Sequence, residues 1–104
     1  MFIYNVTSKV DWSIHDAWIK WMQQVHLPEM VKTGCFTHTQ LVRLLETDEK
    51  EGPTYAAQYF AESKPDYNRY IEIHSAVMRQ KSFDMFEDRV ISFRSLMQVV
   101  EPQS

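Results

Sequence analysis

The apolar residues of this chain switch twice from the two-residue period of a strand to the longer period of a helix and back again. The strand-like patterns cover residues 2–10, 36–47, 54–61 and 90–100, and the helical patterns cover residues 13–34 and 63–86. A chain of 104 residues has room for one hydrophobic core. We therefore predict a single domain over residues 1–104, with the element order β-α-β-β-α-β.

Short signals mark the helix boundaries. Ser13 and Asp16 have the spacing of a capping box, and Ser63 precedes a proline in the first turn of the second helix. Pro28 lacks a backbone N–H and its ring clashes with the preceding turn, so the first helix should bend or restart there. This bend places His26 beside an irregular turn.

The element order matches the ferredoxin-like α+β arrangement. Two right-handed crossovers place both helices on one face of a four-stranded antiparallel sheet, and the other face is left bare. A face that meets water should be consistently polar. In the last strand, however, Ile91, Phe93, Met97 and Val99 alternate with Val90, Leu96 and Val100, so both faces are apolar.

The bare face predicts self-association. Burying half a dozen such side chains stabilises a complex by roughly 10 kcal/mol before the costs of association are deducted. We therefore predict a homodimer in which two sheets pack face to face around a two-fold axis. The resulting dimeric α+β barrel carries its helices on the outside.

The charge of the chain limits its other partners. Eleven basic and fourteen acidic residues give a net charge of -3, so we expect neither nucleic acid nor a membrane as a partner. RNA-recognition modules share the element order, but residues 51–59 lack their basic, glycine-punctuated strand. The single cysteine, Cys35, cannot form an internal disulfide, which favours a cytoplasmic location.

Several segments carry a family resemblance. The run from residue 18 to residue 36, WIKWMQQVHLPEMVKTGCF, resembles the dimeric α+β barrel superfamily, whose members often have H-x-P near the end of the first helix. The segments YNVT, HLPE, TYAAQYF and DYNRYI resemble a small bacterial family of the same length that is known only as a domain of unknown function. The resemblance implies the fold and the dimer. It leaves the activity open, because the superfamily spans cofactor-free monooxygenases, haem-degrading oxygenases, lactone isomerases, haem peroxidases and regulatory ligand-binding domains.

Two histidines are the first candidates for catalysis. His74 lies in an apolar helical stripe within a turn of Tyr70, and a half-buried imidazole is suited to act as a general base near neutral pH. His26 is the second candidate, because a cleft can open at the irregular turn before Pro28. A structural role, with the imidazole hydrogen-bonded inside the core, stays open for both.

Asn5 is a third catalytic candidate, because a lone amide within a strand needs hydrogen-bond partners. The resemblance adds a precedent: haem-degrading members build their site from an Asn in the first strand and a Trp and a His in the second helix. Asn5 lies in the first strand, as the Asn of those members does. Tyr70 lies near the position of their Trp, and His74 lies in the second helix but is displaced along it from the position of their His. We therefore expect no haem.

Four residues are candidates for substrate binding. Trp21, Tyr67 and Tyr70 should line a cleft between helix and sheet, and Arg94 should line the barrel lumen. The guanidinium group of Arg94 could there hold a carboxylate bidentately or join an ion-pair network between subunits. The four histidines and Cys35 lack the spacing of metal ligands, so we expect no metal and no cofactor.

Two functions fit these features. In the first, a homodimer binds a small apolar or aromatic molecule in each helix-sheet cleft, and a histidine assists a cofactor-free oxygenase or isomerase reaction. In the second, the dimer senses a ligand or serves a structural role without any catalysis. Filled pockets with no open volume beside His74 favour the second function.

Overall fold

The computed structural model describes residues 1–100. Its strands are β1 (Phe2–Val10), β2 (His38–Arg43), β3 (Thr54–Ala61) and β4 (Val90–Gln98). They form one antiparallel sheet in the order β2-β3-β1-β4, which is the ferredoxin-like order predicted from the sequence. The bounds of β1 and β3 are those predicted, whereas β2 and β4 are shorter than the predicted 36–47 and 90–100.

Two helical segments connect the strands. The first contains a 3-10 turn (Trp12–Ile14), α1 (His15–Trp21), a π turn (Met22–His26) and α2 (Leu27–Lys32). The second contains α3 (Lys64–Arg69), a π turn (Tyr70–His74), α4 (Ser75–Phe86) and a 3-10 turn (Glu87–Arg89). No helix within residues 1–100 is long and apolar enough to cross a membrane.

Both helical segments pack on the same face of the sheet. The buried core joins Tyr4 and Tyr59 of the sheet to Trp18 and Met22 of the first segment and to Tyr70 and Met78 of the second. Side chains alternate between the faces of a strand, so Asn5 and Thr7 lie on the opposite, uncovered face. We call this surface the open face.

The two helix starts differ from each other. The Ser63 hydroxyl accepts a hydrogen bond from the Asp66 N–H at 3.2 Å and donates one to the Asp66 carboxylate at 2.9 Å, so the predicted cap is confirmed. The cap predicted at Ser13 is wrong. The Asp11 carboxylate accepts from both the N–H and the hydroxyl of Ser13, so a 3-10 turn precedes α1.

The predicted break before Pro28 takes the form of a π turn. The Leu27 N–H donates to the carbonyl of Met22, five residues earlier, and α2 then begins at Leu27. A second π turn ends at His74, where the Ser75 N–H donates to the carbonyl of Tyr70. Such turns are rare and often lie at functional sites, and here each one ends on a histidine.

The second π turn changes which residues of α4 are buried. The sequence pattern placed Val77 in the apolar stripe, but Val77 is 56% exposed, whereas Ser75 and Met78 are buried. The extra residue in the π turn rotates the following helix relative to an unbroken 3.6-residue period. The prediction for Val77 is therefore wrong.

The strand pairing defines the composition of the open face. Gln40, Gln58, Asn5 and Ser95 form one polar row across all four strands. Apolar side chains flank this row, among them Phe60 and Met97 on one side and Phe93 and Ile91 on the other. Ile91 and Phe93 are 68% and 65% exposed. A large part of the open face is therefore apolar and uncovered in the single chain.

Candidate functional site

A cavity lies between the helical segments and the sheet, and we call it the cleft. The centres of water molecules can occupy about 50 Å³ of it, which is room for roughly three to five waters. Its walls come from α1, α2, α4 and both π turns on the helical side, and from β1, β3 and β4 of the sheet. Most of the walls are aromatic or apolar, with a few polar groups, as is usual for small-molecule sites.

His26 lies in the wall of the cleft because the π turn before Pro28 places it there. Its ring stacks on Trp21, with centroids 4.7 Å apart and an interplanar angle of 19°, and meets Tyr59 edge to face. The Nδ1 atom of His26 is buried without a hydrogen-bond partner among residues 1–100. A buried polar atom in this state costs about 1–3 kcal/mol, so it calls for a partner from outside the chain or a functional reason.

The surroundings keep His26 uncharged. Burial lowers the pKa of His26 to about 4; the nearby Glu29 opposes this shift, and Lys81 adds to it. Lys81 Nζ donates to Glu29 Oε2 at 2.6 Å and joins α4 to α2. At neutral pH the imidazole is therefore neutral and has one nitrogen free to accept a proton.

Three tyrosines line the cleft: Tyr4 and Tyr59 from the sheet and Tyr70 from the second π turn. The rings of Tyr59 and Tyr70 lie 5.8 and 5.4 Å from the ring of Tyr4. Burial is the main cause that raises the pKa of Tyr59 and of Tyr70 well above the usual range. Both hydroxyls therefore remain protonated at any pH at which the protein works, and both can donate hydrogen bonds.

Two guanidinium groups also line the cleft. Arg94 reaches it from β4, and its Nε donates to the Tyr4 hydroxyl at 3.1 Å. Arg79 reaches it from α4. Among residues 1–100, neither arginine has a carboxylate oxygen within 4.0 Å, whereas Arg43 and Arg69 each pair with one.

The cleft brings together four of the residues predicted for the site: Trp21, His26, Tyr70 and Arg94. Two others lie beside it. The His74 ring stacks on Tyr70 at 6.2 Å without lining the cavity, and the Tyr67 ring meets Tyr4 at 5.7 Å, also outside the lining. The π turn that ends at His74 therefore contributes Tyr70, not the histidine, to the cavity.

Asn5, the third catalytic candidate predicted from the sequence, does not lie in the cleft with His26. Asn5 lies on the open face, where its Nδ2 donates to the Thr7 hydroxyl at 3.0 Å. Its neighbour Tyr4 is the β1 residue that reaches the cleft, because consecutive side chains of a strand point to opposite faces. Asn5 and His26 therefore lie on opposite sides of the sheet.

Arg94 was expected on the lumen side of the sheet, and this placement is wrong. Arg94 pairs with Val6, and both line the cleft on the helix side. Apolar residues occupy both faces of β4, so the sequence pattern did not identify the helix-facing side. Arg94 therefore contributes a positive charge to the lining of the cleft.

Sequence reasoning missed Arg79, Ser8 and Ser92 as lining residues. Ser8 and Ser92 face each other across β1 and β4, with hydroxyl oxygens 2.7 Å apart. Arg79 follows the second π turn, so its helical face could not be read from the 3.6-residue period. For the two serines, the shared parity of Ser8 with the aromatic Tyr4 was the available signal.

Within residues 1–100, no group of three or more His, Cys, Asp or Glu side chains is placed to hold a metal ion. Cys35 is buried and has a free thiol. The polar groups that line the cleft are guanidinium, hydroxyl and imidazole groups, which can form hydrogen bonds and ion pairs with a ligand.

Comparisons with known proteins support the fold. The family model described as a domain of unknown function, DUF4286, matches residues 1–100. A dimeric ferredoxin-like protein from an uncultured marine organism has a TM-score of 0.73 and 14% identity, and the match covers 98% of this chain and 97% of that one. A "putative monooxygenase" from Shewanella loihica PV-4 has a TM-score of 0.55 and 16% identity over 97% and 96% of the chains. No curated protein matches the sequence.

Proposed function

We propose that this chain, which belongs to the DUF4286 family of domains of unknown function, acts as a homodimer that binds a small aromatic or apolar molecule in the cleft. The observation that carries the proposal is the buried Nδ1 of His26, which has no partner within residues 1–100 and lies in an aromatic wall. A bound molecule with a hydroxyl or an acidic C–H would supply the missing hydrogen bond. Trp21 and Tyr59 would hold its ring.

The dimer follows from the open face. Ile91 and Phe93 are about two-thirds exposed there, and they lie beside other apolar side chains of the same surface. A second copy that packs its own open face on this one would cover both, with the helices outside. The ferredoxin-like neighbour from the marine organism, which is described as dimeric, supports a dimer.

The chemistry that suits the cleft is proton transfer without a cofactor. The neutral His26 can accept a proton from carbon or oxygen of a bound molecule, and the neutral Tyr59 and Tyr70 hydroxyls can donate to the oxygen that becomes negative. Return of the proton to another carbon gives an isomerase. Combination of the deprotonated molecule with dioxygen, which accepts its electrons, forms a C–O bond and, after protonation, a hydroperoxide. Loss of water from the hydroperoxide leaves one oxygen atom in the product as a carbonyl, which gives a monooxygenase, and the name of the Shewanella loihica neighbour supports that version.

A second candidate function is ligand sensing without catalysis. The pKa of His26, about 4, makes the imidazole a weak base, and the cleft offers only about 50 Å³ to the centres of water molecules. Both features suit tight binding of a small molecule better than rapid proton abstraction. In both candidates the protein works in the cytoplasm, where the buried thiol of Cys35 stays reduced.

A ligand screen tests the proposed site. Small aromatic compounds are added to the protein, and binding is followed by tryptophan fluorescence and by the melting temperature. His26→Phe keeps the stacking on Trp21 and removes the nitrogen, whereas His38→Phe is the matched control, since His38 stacks on Phe60 of the open face. We expect binding at least ten-fold weaker in His26→Phe and unchanged in His38→Phe.

Two outcomes would contradict the proposed site. One is a ligand whose affinity depends on His38 and not on His26, and the other is a screen that yields no ligand at all. Catalysis is tested with any ligand found, by oxygen consumption and by proton exchange with D₂O. Binding without either reaction selects the sensing function.

A further inference from the structure

The charges inside the cleft differ in sign from those of the whole chain. The chain has a net charge of -3, yet the lining residues include Arg79 and Arg94 and no aspartate or glutamate. A positively charged cavity in an acidic protein attracts small anions, because field lines concentrate in a cleft with low-dielectric walls. The charges of the cleft therefore carry information about the ligand.

Both guanidinium groups belong to the lining of the same cavity. Arg94 comes from β4 and Arg79 from α4, and Tyr70 of the second π turn lines the cavity with them. Arg94 Nε donates a hydrogen bond to the Tyr4 hydroxyl, which orients the guanidinium group and leaves its terminal N–H groups available to a ligand. Among residues 1–100, no carboxylate lies within 4.0 Å of either arginine.

Several hydroxyl groups line the cleft with these arginines. Tyr59 and Tyr70 contribute hydroxyls from the sheet and the second π turn, Ser82 contributes one from α4, and one hydroxyl of the Ser8–Ser92 pair donates to the other. Apart from His26, the remaining wall is apolar and contains Trp21, Met22, Met30 and Met78. A ligand that matches this wall has an anionic end that accepts hydrogen bonds and a small apolar body.

We propose that the ligand of the cleft is a small organic carboxylate, with its carboxylate held between Arg94 and Arg79 and its apolar body against Trp21 and the methionines. A planar carboxylate fits a guanidinium bidentately, and Arg79 and Arg94, both exposed residues in the lining of the cleft, provide two positive charges for it. The space for a few waters limits the ligand to a short chain or a single ring. This inference rests on the proposed function, since it names the chemical class that the cleft binds.

The test compares acids with uncharged amides of the same shape. Benzoate against benzamide and isobutyrate against isobutyramide are titrated into the full chain by calorimetry at neutral pH. We expect each acid to bind at least ten-fold more tightly than its amide. We also expect the preference to fall below two-fold in Arg79→Gln and in Arg94→Gln, and to persist in Arg89→Gln, a matched change at an exposed arginine that does not line the cleft.

The outcomes separate this inference from the proposed function. Equal affinity for acid and amide would overturn the carboxylate class and leave a cleft that binds neutral molecules. Loss of the preference in Arg89→Gln to the same extent as in Arg79→Gln would also overturn it, because the effect would then come from the overall charge. Absence of binding by all four probes contradicts the carboxylate class, while the proposed function still stands if the aromatic screen finds another ligand. If Arg94→Gln has a lowered melting temperature because it loses the hydrogen bond to Tyr4, the acid-to-amide preference of Arg79→Gln alone tests the inference.

Discussion

Phe93→Glu should dissociate the proposed dimer. Phe93 lies on the open face of β4 and is 65% exposed in the single chain, so about two-thirds of its burial remains to be gained on association. Full burial of such a side chain is worth about 1.5–3 kcal/mol, which leaves about 1–2 kcal/mol for each Phe93. A symmetric dimer contains the residue twice, so the total is about 2–4 kcal/mol.

The magnitude converts directly to a dissociation constant. Because every 1.4 kcal/mol is ten-fold, the lost burial alone should weaken the dimer roughly 30-fold to several hundred-fold. The new carboxylates add to this, since each would lose water at the interface. Sedimentation equilibrium over a range of concentrations measures the dissociation constant of both proteins, and circular dichroism checks that the variant is folded.

Ile73→Glu is the matched control. Like Phe93, Ile73 is a large apolar residue, and it is 62% exposed. It lies in the second helical segment, on the covered side of the sheet. We expect this variant to associate like the unmodified chain. A dimer that survives Phe93→Glu and dissociates in Ile73→Glu would refute the reasoning, because the interface would then involve the helices.

Three further predictions concern His26, Ser63 and Asn5. The pKa of His26 is about 4 in the folded chain and 6.5 in the unfolded one, so unfolding takes up a proton between these values. The free energy of unfolding should therefore fall by up to about 3 kcal/mol as the pH drops from 6.5 to 4, and denaturant titrations should find this loss absent in His26→Phe. Ser63→Ala removes a helix cap and should lower the free energy of unfolding by about 1 kcal/mol in the same assay. Asn5→Ala should leave ligand affinity in the cleft within two-fold of the unmodified chain by calorimetry, because Asn5 lies on the opposite face of the sheet.

Local chemistry made much of the fold predictable. The alternation in residues 2–10 and 54–61 gave the bounds of two strands, and Ser63 was correctly identified as a cap. Pro28 indicated the first irregular turn, because proline has no backbone N–H and this can be read from the sequence. Each of these signals acts within a few residues of its position.

Other features depend on tertiary packing and have no local signal. The second π turn contains no proline, and it rotates Arg79 toward the cleft and Val77 toward solvent. The side of the sheet that Arg94 faces was equally hidden, since both faces of β4 carry apolar residues. His26 was placed in the cleft by its neighbouring proline, but the absence of a partner for its Nδ1 depends on all the residues around it.

The binding role of the cleft is tested most directly by the imidazole signals of His26. The chain has four histidines, and two-dimensional NMR of the ¹⁵N-labelled protein can resolve the ring nitrogens of each. Addition of benzoate, or of any ligand from the aromatic screen, should shift the His26 ring signals and leave those of His38 on the open face unchanged. A saturable shift at His38 with none at His26 would contradict a binding site in the cleft.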